Sequence, residues 1–282
     1  GKSTFIRRFM EIAALPQMSE RKQAEIRDQL PLSGSGKIIT TVEPKFIPKE
    51  AVSVSLGTEQ KVRVRLIDCV GFLVKDAAGN MEDGKERMVR TPWSEKAIPF
   101  HEAARIGTQK VIEEHSTIGL VITSDGSFGE LPRENFTEAE EKTIQELKKQ
   151  HKPFLVLVNS QMPYKEAAQK AVSEIQEKYQ VTALSVNCDQ LHKEDIAQIL
   201  EKILYEFPVS QIQFFIPKWV EMLPADHELK KQLLEQIREK TKHLFQIRDI
   251  TKEAIQLSGP YVKDSLLEDT GLSDGTVKVR VR

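Results

Sequence analysis

Cysteine is scarce in this chain: two in 282 residues, Cys69 and Cys188, each inside an apolar stretch and without a pairing pattern. A disulfide-stapled secreted scaffold is thereby excluded, and a reducing cytosol fits. An excess of one charge sign is lacking as well. Lys and Arg number 41 against 42 Asp and Glu, a net charge of −1, so no strongly basic surface is implied and nucleic acid is not a default partner. No apolar run is long enough to cross a bilayer, and no secretory leader is visible. Internal repeats and low-complexity tracts are absent. What is left is a globular sequence long enough for one large or two ordinary domains. It opens inside a loop motif and closes on a strand pattern, Val277 to Arg282, and so reads as a piece of a longer protein.

What is present begins at the first residue. Gly1-Lys2-Ser3-Thr4 is the closing half of a phosphate-binding loop, G-x-x-x-x-G-K-[S/T]. In that loop backbone N–H groups cradle phosphates, the lysine reaches the terminal ones and the serine hydroxyl sits on Mg²⁺. Phe5, Ile6, Phe9 and Ile12 recur at helical spacing, so a helix starts at once and points its positive end at a bound phosphate; Pro16 ends it near Ala14. A short helix is expected within Ser19 to Leu30. Beyond the flexible Pro31 to Gly36 stretch lies Thr40-Thr41-Val42-Glu43-Pro44. In phosphate-loop hydrolases a threonine in such a segment closes over the γ-phosphate and completes the Mg²⁺ shell. Thr40 or Thr41 is the candidate; two β-branched residues that merely favour a strand are the plain alternative.

Two period-two strands follow, Val52, Val54 and Leu56, then Val62, Val64 and Leu66, which predicts an antiparallel hairpin. The second ends in Asp68-Cys69-Val70-Gly71, a D-x-x-G whose aspartate holds Mg²⁺ through water and whose glycine N–H meets the γ-phosphate. Its weight comes from order: loop, helix, threonine segment, hairpin, then D-x-x-G. Phe72 to Pro99 is polar without a period and reads as one long loop in the place of a second switch. His101 to His115 reads as a helix. His101, Arg90 and Arg105 are read as surface or packing residues rather than as a base or a transition-state cation.

Thr117 to Thr123 and Pro153 to Asn159 are continuous apolar runs, the signature of strands buried on both faces. Thr137-Glu-Ala-Glu140 is expected to cap a helix running toward His151. Ala167 to Tyr179, Val181 to Val186 and Asp195 to Phe207 continue as helix, strand and helix. Alternation throughout predicts an α/β fold of the P-loop NTPase kind, a doubly wound, mostly parallel sheet with one antiparallel hairpin. Its ligand belongs at the carboxyl ends of the strands, where Gly1 to Thr4, Asp68 and Asn159 converge. Residues 1–207 form this domain. Residues 208–282 begin a second, α+β domain: a strand from Ser210 to Ile216, Trp219 packed between domains, a long helix from about Asp226 toward Leu257, and the last strand. Asn159-Ser160-Gln161-Met162 stands where a guanine reader carries N-K-x-D, and a methionine cannot accept the guanine edge's hydrogen bonds.

The loop ending in Gly1-Lys2-Ser3-Thr4, the Thr40-Thr41-Val-Glu-Pro44 segment, Asp68-Cys-Val-Gly71, Val121-Ile-Thr-Ser-Asp-Gly-Ser127 and Leu204-Tyr-Glu-Phe-Pro-Val209 together resemble the stage IV sporulation protein A family, coat-morphogenesis ATPases of spore-forming bacteria akin to Ras-like, translation-factor-type GTPases. The resemblance covers essentially the whole chain. It implies an ATP- and Mg²⁺-dependent hydrolase that polymerises with itself as the base layer of the spore coat. Its place would be the cytoplasmic, mother-cell side of the forespore outer membrane. Other coat proteins and a small amphipathic membrane-anchoring helix protein would be its partners, with no nucleic acid and only indirect membrane contact. By position it implies Lys2, Thr40, Thr41 and Asp68 in catalysis, Gly1, Lys2, Ser3, Thr4, Gly71 and Asn159 around the nucleotide, and Ser3, Thr41 and Asp68 on the metal. Two other readings are weighed against it. A GTPase of ribosome or tRNA maturation is weakened by the missing N-K-x-D and basic face; a scaffold with a vestigial nucleotide site is the third.

Met162 gives the first prediction: the whole protein turns over ATP in preference to GTP, by a factor that reaches on the order of 10⁴ where the pocket excludes water. Parallel turnover assays check it, and equal rates would refute it.

Overall fold

A computed structural model of the chain describes residues 1–31, 44–56, 60–77, 81–82, 85–129, 131–271 and 274–282. Thr40 and Thr41 lie outside the described residues. The chain divides into two compact units, Gly1–Glu201 and Lys202–Arg282.

In the first unit α1 (Lys2–Phe9) buries Phe5, Ile6 and Phe9, then continues as a π turn, Met10–Ala14, and a 3₁₀ turn, Leu15–Gln17, where Pro16 removes a backbone donor. α2 (Glu20–Arg27) follows. β1 (Lys45–Leu56) and β2 (Gln60–Asp68) pair antiparallel with Val52 opposite Val64 and Val54 opposite Val62. A bulge between Ile47 and Val52 resets the register, so Ile47 and Val54 both reach the interior.

The stretch from Phe72 to Pro99 departs from its expected form as one loop. It holds two antiparallel hairpins, β3 (Met81–Glu82) with β4 (Lys85–Glu86) and β5 (Met88–Thr91) with β6 (Ser94–Pro99). Strands this short show too few apolar residues for a period to emerge. Packing decides instead: Val89, Phe100 and Ala103 form a cluster that Val70, Leu73 and Ile98 join. Phe100 opens α3 (Phe100–Lys110), which ends in a π turn, Val111–His115.

β7 (Gly119–Ser124), β8 (Phe154–Asn159) and β9 (Ala183–Val186) form a parallel sheet in that order, linked by α4 (Glu134–Lys149) and α5 (Glu166–Tyr179) and followed by α6 (Lys193–Tyr205). Every residue of β8 is buried. Phe154, Val156 and Val158 pack with Ile144, Leu147, Ala171, Val172 and Ile175, while Leu155 and Leu157, on the opposite face by strand alternation, are also wholly buried. Gly119 is required here, since a Cβ on it would stand 2.7 Å from a methyl of Leu147. Among the described residues the β1–β2 hairpin is a sheet of its own rather than part of one continuous doubly wound sheet. α4 begins at Glu134, three residues before the expected cap: Thr137 Oγ1 donates to the Glu134 carbonyl at 2.8 Å, inside the first turn.

The second unit contains β10 (Gln211–Phe215), α7 (Lys218–Glu221), α8 (Glu228–Thr241), α9 (Lys252–Ile255), β11 (Ser265–Gly271) and β12 (Thr276–Val281). β12 is the middle strand, parallel to β10 and antiparallel to β11, so the sequence's last strand is paired on both sides. Its Val277 and Val279 pack with Ile255, and Val281 with Val220, Leu233 and Leu257. The expected single helix from Asp226 toward Leu257 is broken. Asp249 Oδ2 accepts the N–H groups of Phe245 and Gln246 at 3.1 and 2.8 Å, and Thr251 caps α9 by accepting from the Ala254 N–H at 3.2 Å. These side chains offer the backbone an alternative to a continued helix. Trp219, expected to pack between domains, is 57% exposed. No helix among the described residues is long and apolar enough to cross a membrane.

At the carboxyl end of β7 the chain is fastened by a two-pronged ion pair: Arg133 Nη1 and Nη2 reach Glu140 Oε2 and Oε1 at 2.6 and 3.0 Å, and Nη1 also donates to Thr123 Oγ1 at 3.0 Å. The Glu140 side chain is 2% exposed, so removing it strands a buried guanidinium. Glu140→Ala is expected to cost about 3–5 kcal/mol in urea denaturation, whereas Glu138→Ala, on the exposed Lys142 pair, leaves stability unchanged. Equal effects would show that burial does not set the value of the pair.

Candidate functional site

The start of α1 is the centre of the site. Its first turn carries no acidic residue and no side-chain cap, and the Phe5 N–H closes the first helical bond on the Gly1 carbonyl at 2.9 Å. The N–H groups before it have no intrahelical acceptor, which makes this end attractive to anions. Ser3 Oγ donates to Asp68 Oδ2 at 3.0 Å, joining the first turn of α1 to the last residue of β2. Gly71 stands two residues past Cys69 at φ +78°, and a Cβ there would lie 3.3 Å from Lys2 Nζ. A side chain at this position would be both strained and in the way of the ammonium group.

Asn159 closes the far side. A Cβ on Gly1 would lie 3.8 Å from its Nδ2, while its Oδ1 accepts the Cys188 N–H at 2.9 Å. The carboxamide oxygen therefore pins the loop after β9 to the end of β8. Gly1, Lys2, Ser3, Asp68, Gly71 and Asn159 are thus brought together, with Thr4 on the adjoining turn of α1. Arg105 is spent on Gln109 at 2.9 Å and His101 on Glu86 at 2.5 Å.

Mg²⁺ was expected from the sequence. No cluster of three His, Cys, Asp or Glu side chains exists among the described residues, so an all-protein cage is not on offer. One hydroxyl and one carboxylate in contact are nevertheless the hard oxygen donors that Mg²⁺ takes from protein when phosphate and water supply the rest. Ser3 and Asp68 fit the ion.

Residues assigned no role in the site from sequence alone complete the surroundings. Burial works to raise the Asp125 carboxyl, but the Ser127 and Ser160 hydroxyls and the Ser127 N–H outweigh it and hold it below the ordinary range. The Ser127 hydroxyl in turn accepts the Gln161 N–H at 2.9 Å. A strand ending in Ser124-Asp-Gly-Ser127 was the available signal, an aspartate turn after an apolar run. Ser160 is buried and accepts the Met162 N–H at 3.0 Å, leaving Met162 52% exposed.

A parallel α/β unit sets a bare helix start against an acidic strand end, and residues 1–208 match the family model described as the stage IV sporulation protein A ATPase domain. Residues 209–282 match the model of the middle domain of the same protein. The chain belongs to the stage IV sporulation protein A family. It is 42% identical over 97% of its length to stage IV sporulation protein A of Bacillus subtilis (strain 168), and 44% identical over 97% to that of Clostridioides difficile (strain 630). It spans 55% of each, about half the length of the curated relatives it matches. No solved structure matches the chain.

Both thiols lie against this site and both are restrained. Burial pushes Cys188 up to about 12. It raises Cys69 too, with Asp68 adding to the effect and Lys2, the Gly71 N–H and the Thr108 hydroxyl opposing it. The native chain keeps the Cys188 proton where the unfolded chain, with an ordinary value of 9.0, loses it. The thiol's contribution to stability is therefore complete below pH 9 and is lost as pH rises from 9 toward 12. With a thiolate fraction of about 10⁻⁴ for Cys188 at pH 8, native alkylation by iodoacetamide is expected to run at least about tenfold slower than in urea. Equal rates would contradict the burial.

Proposed function

We propose that residues 1–207 are a P-loop nucleotide hydrolase of the Ras-like, translation-factor-like kind that hydrolyses ATP with Mg²⁺, and that residues 208–282 begin the domain that follows. The observation that carries the reading is the 3.0 Å contact between Ser3 Oγ and Asp68 Oδ2 at the open start of α1, with Lys2 Nζ beside Gly71.

Each group has a physical task. The first-turn N–H groups of α1 and the Lys2 ammonium lower the energy of phosphate oxygens, more so as negative charge shifts toward the leaving group. Ser3 and Asp68 would hold the metal, which when bound would supply positive charge against the phosphate oxygens. Gly71 keeps side-chain atoms away from Lys2 Nζ, and its N–H, which here faces the Cys69 sulfur, can turn to meet the γ-phosphate. Thr40 or Thr41, by its place in the sequence, would report whether that phosphate is present and so couple hydrolysis to assembly.

The relatives' name supports a role in sporulation. From it we take the wider reading: a self-assembling ATPase that polymerises on the mother-cell side of the forespore membrane as the base layer of the coat, held there by a small amphipathic helix protein and joined by other coat proteins.

Lys2 and Asp68 are expected to fail in different ways. In the whole protein Lys2→Ala weakens ATP binding and cuts turnover by on the order of 10²-fold or more, while Asp68→Ala mainly raises the Mg²⁺ needed for half-maximal rate and lowers turnover. Titration of ATP and of Mg²⁺ against phosphate release separates the two. A Lys2→Ala protein with unchanged affinity and rate would overturn the phosphate-loop reading.

A further inference from the structure

The base reader of this site is missing from its usual place. Met162 is half exposed and accepts nothing useful, and the Asn159 carboxamide oxygen is occupied by the Cys188 N–H. A cavity of about 240 Å³ lies along α1 and is lined by Thr4, Arg7, Arg8, Glu11 and Asp189. Thr4 directly follows Ser3, so the cavity starts where the phosphate-facing turn ends. From Thr4 to Glu11 the helix advances about 10 Å at 1.5 Å per residue, the reach of a nucleoside rather than of an ion.

Its chemistry is mixed rather than simply anion-binding. Glu11 meets both guanidinium groups, Arg7 Nε at 3.4 Å and Arg8 Nη1 at 3.3 Å. Charge-assisted hydrogen bonds run at about 2.7–2.9 Å, so both pairs are loose. Arg8 Nε is buried with no hydrogen-bond partner among the described residues. Across the cavity, Asp189 is exposed, and its carboxylate has no ion pair among the described residues. Its loop is fixed from both sides: the Cys188 N–H bonds Asn159 Oδ1 at 2.9 Å, and the Asp189 N–H bonds Asn187 Oδ1 at 3.0 Å. A carboxylate that only accepts is thus held opposite guanidinium groups that only donate.

An adenine edge asks for that pair, because its exocyclic amine donates beside a ring nitrogen that accepts. We propose that the adenosine half of ATP occupies this cavity, with Asp189 accepting from the exocyclic amine and Arg8 donating to or stacking on the ring. Glu11 is not the reader, since each of its oxygens faces a guanidinium group, at 3.4 Å and 3.3 Å. The proposal rests on the ATPase reading above.

The test compares three ligands with Mg²⁺ by calorimetry on the whole protein: ATP, purine riboside triphosphate, which lacks the exocyclic amine, and inorganic tripolyphosphate. Wild type is expected to bind ATP about tenfold or more tighter than the purine analogue, as for a hydrogen bond to a charged group. Asp189→Ala should abolish that gap while tripolyphosphate affinity stays within about twofold; Arg8→Gln should weaken both nucleosides' triphosphates and spare tripolyphosphate. If Asp189→Ala keeps the full preference for the amine, or if it weakens tripolyphosphate as much as ATP, the cavity is not the adenosine site. Wild type that binds neither ATP nor tripolyphosphate would instead overturn the ATPase reading, and this inference with it.

Discussion

The hydrogen bond from Ser3 to Asp68 spans 65 positions of sequence and ties the first turn of a helix to the end of a strand. Much else depends on that tie. It fixes where Lys2 can reach, and Lys2 in turn needs a residue without a side chain beside it, which Gly71 supplies at a positive φ. A hydroxyl–carboxylate bond at a partly open site contributes only about a kcal/mol to stability. Its importance is positional, because it holds a hydroxyl and a carboxylate together at the start of α1, beside Lys2.

Rigidity comes from elsewhere. β8 is buried along its whole length, and its last residue, Asn159, uses side chain and main chain to hold neighbouring loops: Oδ1 takes the Cys188 N–H and the carbonyl takes the Asp125 N–H at 3.4 Å. The Arg133–Glu140 pair fixes the path of the chain just beyond β7. Loops anchored this way can carry polar side chains without being floppy. The D-x-x-G loop is built differently. Val70 and Leu73 rest on the β5–β6 hairpin and on Phe100 and Ala103, so a shift at Gly71 presses on an apolar cluster rather than on a hydrogen-bonded strand end.

Legibility in the sequence followed the range of the interactions. The parallel strands were readable because burial on both faces writes a continuous apolar run, as in Phe154 to Val158, and the β1–β2 hairpin because one buried face writes a period of two. The proximity of Lys2, Ser3 and Asp68 was to be expected from the sequence because phosphate and magnesium chemistry uses those residue types in that order, and the structure does set Ser3 against Asp68. The hairpins between Met81 and Pro99 were not, since their strands are short and their packing partners, Val70 and Ala103, lie outside the segment. Neither was the break after α8. Leu229, Leu233, Ile237, Leu244 and Ile255 keep a helical spacing across it, while side-chain caps take donors that a continued helix would use: Asp249 the Phe245 and Gln246 N–H groups, Thr251 that of Ala254. Periodicity reports which face is buried, and is silent on whether the backbone between two buried residues is continuous.

The direction of the Ser3–Asp68 bond also bears on how the site accepts a cation. A serine hydroxyl has one proton and two lone pairs. With the proton given to Asp68, as here, both lone pairs remain for a metal, and the donation makes the oxygen more electron-rich. Asp68 would not have to leave its serine for an ion to bind, and would keep the hydroxyl oriented while Ser3 offered its lone pairs. An alanine at position 3 would remove the hydroxyl itself and leave Asp68 nothing to orient, whereas a change at Asp68 would remove only the orienter and leave a hydroxyl free to turn. The two residues are therefore unequal partners: Ser3 would be the oxygen that meets a metal, and Asp68 is the group that decides which way that oxygen faces.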